Sequence, residues 1–219
     1  MNRPNLDEIY LGRIKARLER AGSLDADLKS LMGRPITVNG QPLEPPGTYL
    51  SAIGGLVDGW TPRFTTFIHG DSHPENILVR FREEAVDVRF IDPKEWENAD
   101  YLFDMGKLIH YLLATGPAER GPTPMTVAID TGAGSLRYAI TIPHAVTRFV
   151  DEAMERIKEL ALTAFDDLTW EIRFALSMAS NLLGLPAARL EKGRRDSAFI
   201  LYGEGLRWLA KVAAARPAA

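Results

Sequence analysis

The stretch FIHGDSHPENILV, residues 67–79, sets His69, Asp71, His73, Glu75 and Asn76 between two apolar runs. Thr65, Thr66, Phe67 and Ile68 lead into it, and Ile77, Leu78 and Val79 lead out, all residue types that fit a pleated, half-buried surface. Asp, Ser, Pro and Asn are turn formers, each for its own reason, so any one of these polar residues taken singly is a turn or cap residue. Taken together, two imidazoles, two carboxylates and an amide between strands read as a site.

Outward from this loop, the runs 76–81 and 86–91 are strand-like and meet in a turn at Glu83, Glu84 and Ala85, which predicts a hairpin. Its second strand ends in RFID at Asp92, before a turn at Pro93, and a helix is expected from about Tyr101 to Thr115. Upstream, a helix over 48–59 leads into a strand at 63–68. Before that, Ile9, Tyr10, Ile14 and Leu18 recur at helical spacing behind a cap at Asn5 or Asp7, up to Gly22. A second short helix is expected from Ser23 to Met32. Arg34–Gly47 carries four prolines and an Asn-Gly pair; it reads as a loop with a tight turn and as a flexible boundary between segment 1–47 and a larger unit, 48–215.

Downstream, Met125–Asp130 and Leu136–Ile142 flank TGAGS as a second hairpin. Helical patterns then cover roughly 143–165, 168–183 and 196–214, with Pro186, Lys192, Arg194 and Arg195 in a connector and an Ala/Pro end expected to fray. The fold class is α+β, mainly helical, with short β-hairpins around the polar loop.

The 219 residues, 46% hydrophobic and 25% charged, suffice for one large domain or two small ones. A net charge of −3 nominates neither nucleic acid nor an anionic membrane as partner. The chain has no cysteine, so disulfide and thiolate chemistry are excluded. The charged N-terminus carries no signal-type apolar core and no window approaches eighteen apolar residues, so a cytoplasmic location is expected. His110, in an apolar helix, and His144, at a helix start, form no zinc pattern with neighbouring carboxylates. A metal hydrolase built on His69, Asp71 and His73 gives no role to Asn76 or Asp92.

Asp71 and Asn76 stand at the H-x-D-x-x-x-x-N spacing in which the Asp orients or deprotonates an attacking hydroxyl and the Asn five residues on holds magnesium. That chemistry wants a second carboxylate on the metal, and Asp92 at the strand end supplies one. HGDSHPENILV, then FIDPKEW, then ENADYLFDMGKL resembles the aminoglycoside phosphotransferase and choline-kinase-like branch of the protein-kinase-like fold. Its pattern is H-G-D-x-H-x-x-N, then I-D, then a third Asp opening a helix.

The resemblance implies an ATP-dependent small-molecule kinase acting on a hydroxyl acceptor of aminoglycoside, amino-alcohol or sugar type. Asp71 would be the catalytic base, Asn76 and Asp92 the Mg²⁺ ligands, and His69 and Asp104 the braces of the catalytic loop. His73 packs under the loop or bonds a backbone carbonyl. Oxygen ligands suit Mg²⁺, which takes a few protein oxygens together with phosphate and water.

The resemblance covers about residues 48–215, the C-terminal lobe. The 68 residues before His69 contain no G-x-G-x-x-G and no V-A-I-K-like strand, so the nucleotide lobe is missing from this chain's pattern, or a partner chain supplies it. Lys94, two residues after Asp92, is the candidate for a phosphate contact. The alternative is a non-catalytic kinase-like binding module. Acidic residues at 151, 152, 155, 159, 166 and 167, and the aromatic Trp96, Trp170 and Tyr202, leave the acceptor open.

Overall fold

The computed structural model describes residues 5–215, apart from 63, 84, 95 and 122–125. A π-type turn, Asp7–Gly12, runs into α1 (Arg13–Leu24), and Asn5 Oδ1 accepts the Glu8 amide at its start, at 3.2 Å. Asp25 takes extended backbone and caps α2 (Ala26–Met32), its Oδ1 accepting the Leu28 amide at 2.9 Å. This cap starts the second helix later than Ser23, because Asp satisfies a helix N-terminus better from outside it than within it.

The proline-rich stretch is a hairpin, β1 (Ile36–Val38) and β2 (Gln41–Leu43), turning on Asn39 and Gly40, both at positive φ. Next come α3 (Pro46–Gly54), a 3₁₀ turn at Val57–Trp60, and β3 (Thr66–Ile68). The expected hairpin follows as β4 (Ile77–Phe81) and β5 (Val86–Phe90), paired from Ile77 opposite Phe90 to Phe81 opposite Val86. A strand with no counterpart in the sequence reading, β6 (Trp96–Ala99), pairs antiparallel with β3.

Helix α4 (Leu102–His110) continues through a π-type turn, Tyr111–Thr115, into α5 (Gly116–Arg120). The second hairpin is β7 (Val127–Asp130) and β8 (Ser135–Tyr138), shorter than expected at both outer ends; Met125 lies outside the described residues. The chain closes with α6 (His144–Glu159) and a π-type turn, Leu160–Ala164, then α7 (Trp170–Leu183), α8 (Pro186–Glu191) and α9 (Arg195–Ala214). About 60% of the chain is helical, with small sheets: an α+β protein.

The stretch expected as a flexible boundary is tied down. β1 pairs in parallel with β8, Thr37 opposite Ser135 and Val38 opposite Leu136, giving a four-stranded sheet of order β2-β1-β8-β7. Ile36, Val38, Leu43, Leu136 and Tyr138 are buried in the same core as α9 residues Phe199, Tyr202 and Leu206. Burial of these side chains, at about 25 cal/mol per Å² of apolar surface removed from water, holds a hairpin that its prolines alone would leave open.

Helix α7 is buried around nearly its whole circumference, with Trp170, Phe174, Leu176, Met178 and Leu182 inside, as is a helix surrounded by other elements. It also carries Arg173 into the core. Arg173 pairs with Asp100 at 3.0 Å and with Asp167; Tyr10 donates to Asp100 and Tyr101 to Asp167, each at 3.0 Å. These five side chains tie the N-terminal turn, the end of β6, α7 and the segment before it into one frame. Asp100 sits four residues before Asp104, so the frame also fixes the start of α4.

Candidate active site

The polar loop runs from β3 to β4, and one residue of α4 sets its shape. Asp104 accepts two consecutive loop amides, His69 N–H on Oδ2 at 2.7 Å and Gly70 N–H on Oδ1 at 2.9 Å. Ser72 Oγ donates to the Asp104 carbonyl at 2.8 Å. A bidentate carboxylate on adjacent amides pulls the chain into a tight bend, and Gly70 meets it with φ +77. A Cβ at Gly70 would lie 3.1 Å from Lys94 Cβ and 3.6 Å from the Trp96 ring.

The His69 ring closes the loop's other side. Its Nδ1 accepts the Asp71 amide at 3.2 Å, so its Nε2–H is the donor to the Ile91 carbonyl at 2.9 Å. The backbone adds a strut, Lys94 N–H to the His69 carbonyl at 2.7 Å. The loop is thereby attached to the segment that carries Asp92.

Asn76 ends a short 3₁₀ turn, Pro74–Asn76, begun by His73. Its Nδ2 donates to the Asp71 carbonyl at 2.9 Å, and its own carbonyl accepts the Ile91 amide at 2.9 Å. The amide nitrogen is thereby engaged within the loop. Asp92 follows one residue later in left-handed backbone, φ +56, with its side chain largely exposed and Lys94 Nζ 3.0 Å away. The Ile91 amide bond to the Asn76 carbonyl sets the Asn76 backbone beside the segment that carries Asp92. Among the described residues no group of three or more His, Asp or Glu gathers around a common point. Amide and carboxylate oxygens are the ligand types that Mg²⁺ takes together with phosphate and water.

Asp71 is half-buried between cations. Lys107 Nζ lies 3.0 Å from Oδ1 and His73 Nε2 3.8 Å from the same oxygen. Burial works against ionisation of Asp71, but the Lys107 ammonium and its hydrogen bond, aided by His73 and Lys94, hold its pKa below the ordinary carboxylate value. Burial lowers the His73 pKa and Asp71 opposes this. The His73 ring stacks on Tyr111 at 5.6 Å between centroids, and its Nδ1 accepts the Glu75 amide rather than bonding a carbonyl. Lys94 is raised by its hydrogen bond to Asp92, and that engagement is its contact in this structure.

All seven sequence-nominated residues, His69, Asp71, His73, Asn76, Asp92, Lys94 and Asp104, thus belong to one constellation. Lys107 was not among them. Its signal was present: Phe103, Lys107, His110 and Ala114 fall on one helical face, and the other three are residues that a helix buries. A lysine on such a face is the anomaly to notice. Arg13 is a second omission; it stacks over Phe103 at 5.5 Å and lies close enough for Asp71 to act on its charge.

No protein-family model, no curated protein and no solved structure matches this chain.

Proposed function

We propose that this chain is the C-terminal lobe of a small-molecule phosphotransferase of the aminoglycoside-phosphotransferase and choline-kinase-like type, passing the γ-phosphoryl group of ATP to a hydroxyl. The observation that carries this reading is the double acceptance of the His69 and Gly70 amides by Asp104, because it braces the bend of the loop that carries Asp71 and Asn76. Phosphoryl transfer is mostly positioning and charge neutralisation, so a rigid loop presenting one base and two hard oxygens meets its needs.

In the step itself the acceptor oxygen bonds to the γ-phosphorus, the bond to the β–γ bridging oxygen breaks, ADP departs, and the hydroxyl proton passes to Asp71. Asp71 is held ionised by Lys107 and needs no raised pKa to receive that proton late in the step. Asn76 and Asp92 are the residues that hold Mg²⁺, which when bound neutralises the phosphates. Lys94, paired with Asp92, is the proposed contact for a phosphate oxygen.

A second reading, a non-catalytic nucleotide or ligand module, draws on the N-terminal region. Residues 7–54 fold as helices and a hairpin with no glycine-rich phosphate loop. One experiment separates the two: ADP release from Mg·ATP across a panel of amino-alcohols, sugars and aminoglycosides, with thermal unfolding in parallel. The kinase reading expects turnover that Asp71→Ala abolishes in a variant still folded at the assay temperature, its Tm lowered because buried Lys107 loses its partner, and a rise in wild-type Tm that needs both metal and nucleotide. Turnover unaltered by Asp71→Ala sinks the assignment; no Tm shift at millimolar Mg·ATP supports the module.

A further inference from the structure

The site contains a buried ammonium that the motif does not call for. Lys107 leaves α4 on its inward face, 9% exposed, and its ion pair is with Asp71. Burial pushes its pKa down while Asp71 pushes it back up. Removing the ammonium alone would strand the half-buried Asp71 carboxylate, whereas apolar side chains in place of both partners would cost little, so stability by itself does not require the pair.

The pairing is also directional. Lys107 at 3.0 Å and His73 at 3.8 Å both approach Oδ1 of Asp71, and among the described residues no hydrogen bond is made to Oδ2. His73 is itself held by stacking on Tyr111. Lys107 cannot drift, because the same turn of α4 carries Asp104, clamped to the loop amides, and Gly106, where an added Cβ would run into Ser177 of α7. The helix that bends the loop therefore also holds the carboxylate the loop presents.

We propose that Lys107 is a positioning residue of the transfer reaction: by occupying Oδ1 it fixes the Asp71 rotamer and leaves Oδ2 as the oxygen that takes the acceptor's proton. This rests on the phosphotransferase reading above. The bond changes are those already given, with the proton assigned to one atom.

The test compares Lys107→Met, which keeps length and removes charge, with Lys107→Arg, which keeps charge, in the full chain. The readouts are ADP release from Mg·ATP with the acceptor panel, and thermal unfolding. Lys107→Met is expected to melt below the wild-type temperature, because Asp71 loses its partner, and, while still folded at the assay temperature, to lose about 100-fold in kcat, the scale of a misplaced reacting group. Its KM for ATP should stay unchanged, and Lys107→Arg should recover part of kcat. A Lys107→Met variant with wild-type kcat, or one that loses ATP affinity in place of kcat, overturns the proposal, as does a Lys107→Arg variant that is folded and no more active than Lys107→Met. Wild-type protein that releases no ADP overturns the phosphotransferase reading itself, and with it any role of Lys107 in transfer.

Discussion

Asp104 carries more of the loop's geometry than any residue inside the loop. Its carboxylate accepts two amides that the bend turns away from other backbone partners. Hydrogen bonds to a charged group contribute roughly 1.5–3 kcal/mol each. Asp104→Ala is therefore expected to destabilise the fold by about 3 kcal/mol in urea unfolding, with Asp104→Asn, which keeps one acceptor, in between. An unchanged midpoint would mean that the loop holds its bend without the brace.

His110, nearby on α4, sets a pH dependence. It is buried, its Nδ1 faces Thr115 Oγ1 at 3.0 Å, and burial, reinforced by Lys107, takes its pKa well below 6.5. Below about pH 6.5 the unfolded chain binds a proton at this histidine that the folded chain refuses. Stability from this group is thus complete above the unfolded pKa and falls with acid, by at most about 1.4 kcal/mol per pH unit. Unfolding midpoints at pH 7.5 and 5.5 should differ less in His110→Gln than in wild type; equal differences would remove His110 as the cause.

Among the elements, α4 and α7 decide whether there is a site at all. α4 delivers Asp104 and Lys107 three residues apart, and α7 seats α4 through the Gly106–Ser177 contact. Arg173 on α7 supports this arrangement from below by pairing with Asp100 and Asp167 at full burial. Removing the arginine strands two buried carboxylates, a loss of about 3–5 kcal/mol when a buried pair is broken one-sidedly. Arg173→Met should show that loss in equilibrium unfolding. If it melts like wild type, the pair is dispensable to the frame.

The β4–β5 hairpin shows the opposite balance. Ile77, Val79 and Phe81 face the same side as their partners Phe90, Val88 and Val86, yet most of this apolar face is exposed. Its strands and turn were readable from alternation alone, since a hairpin is a local object whose register the turn sets. What lies on its apolar face was not.

At the scale of the whole molecule, residues from Leu6 to Ile53 contribute to the same core as α7 and α9. Tyr10 reaches Asp100, β1 pairs with β8, and Arg195 on α9 binds Asp25 at 2.7 Å. No helix among the described residues is long and apolar enough to cross a membrane.

Most helices, both hairpins around turn residues, and the seven residues of the polar constellation were legible in the chain, because periodicity, caps and turn chemistry act over a few positions. Strand β6, the parallel pairing of β1 with β8, and Lys107 were not. WENA is too short to show a period, and strands about a hundred residues apart meet only if their apolar faces share a core. A lysine's partner depends on which loop packs over its helix. The sequence by itself determined what the loop contains; the packing of α4 against that loop and against α7 decided that Lys107 meets Asp71, because that contact joins two segments about thirty-five residues apart that only the folded core brings together.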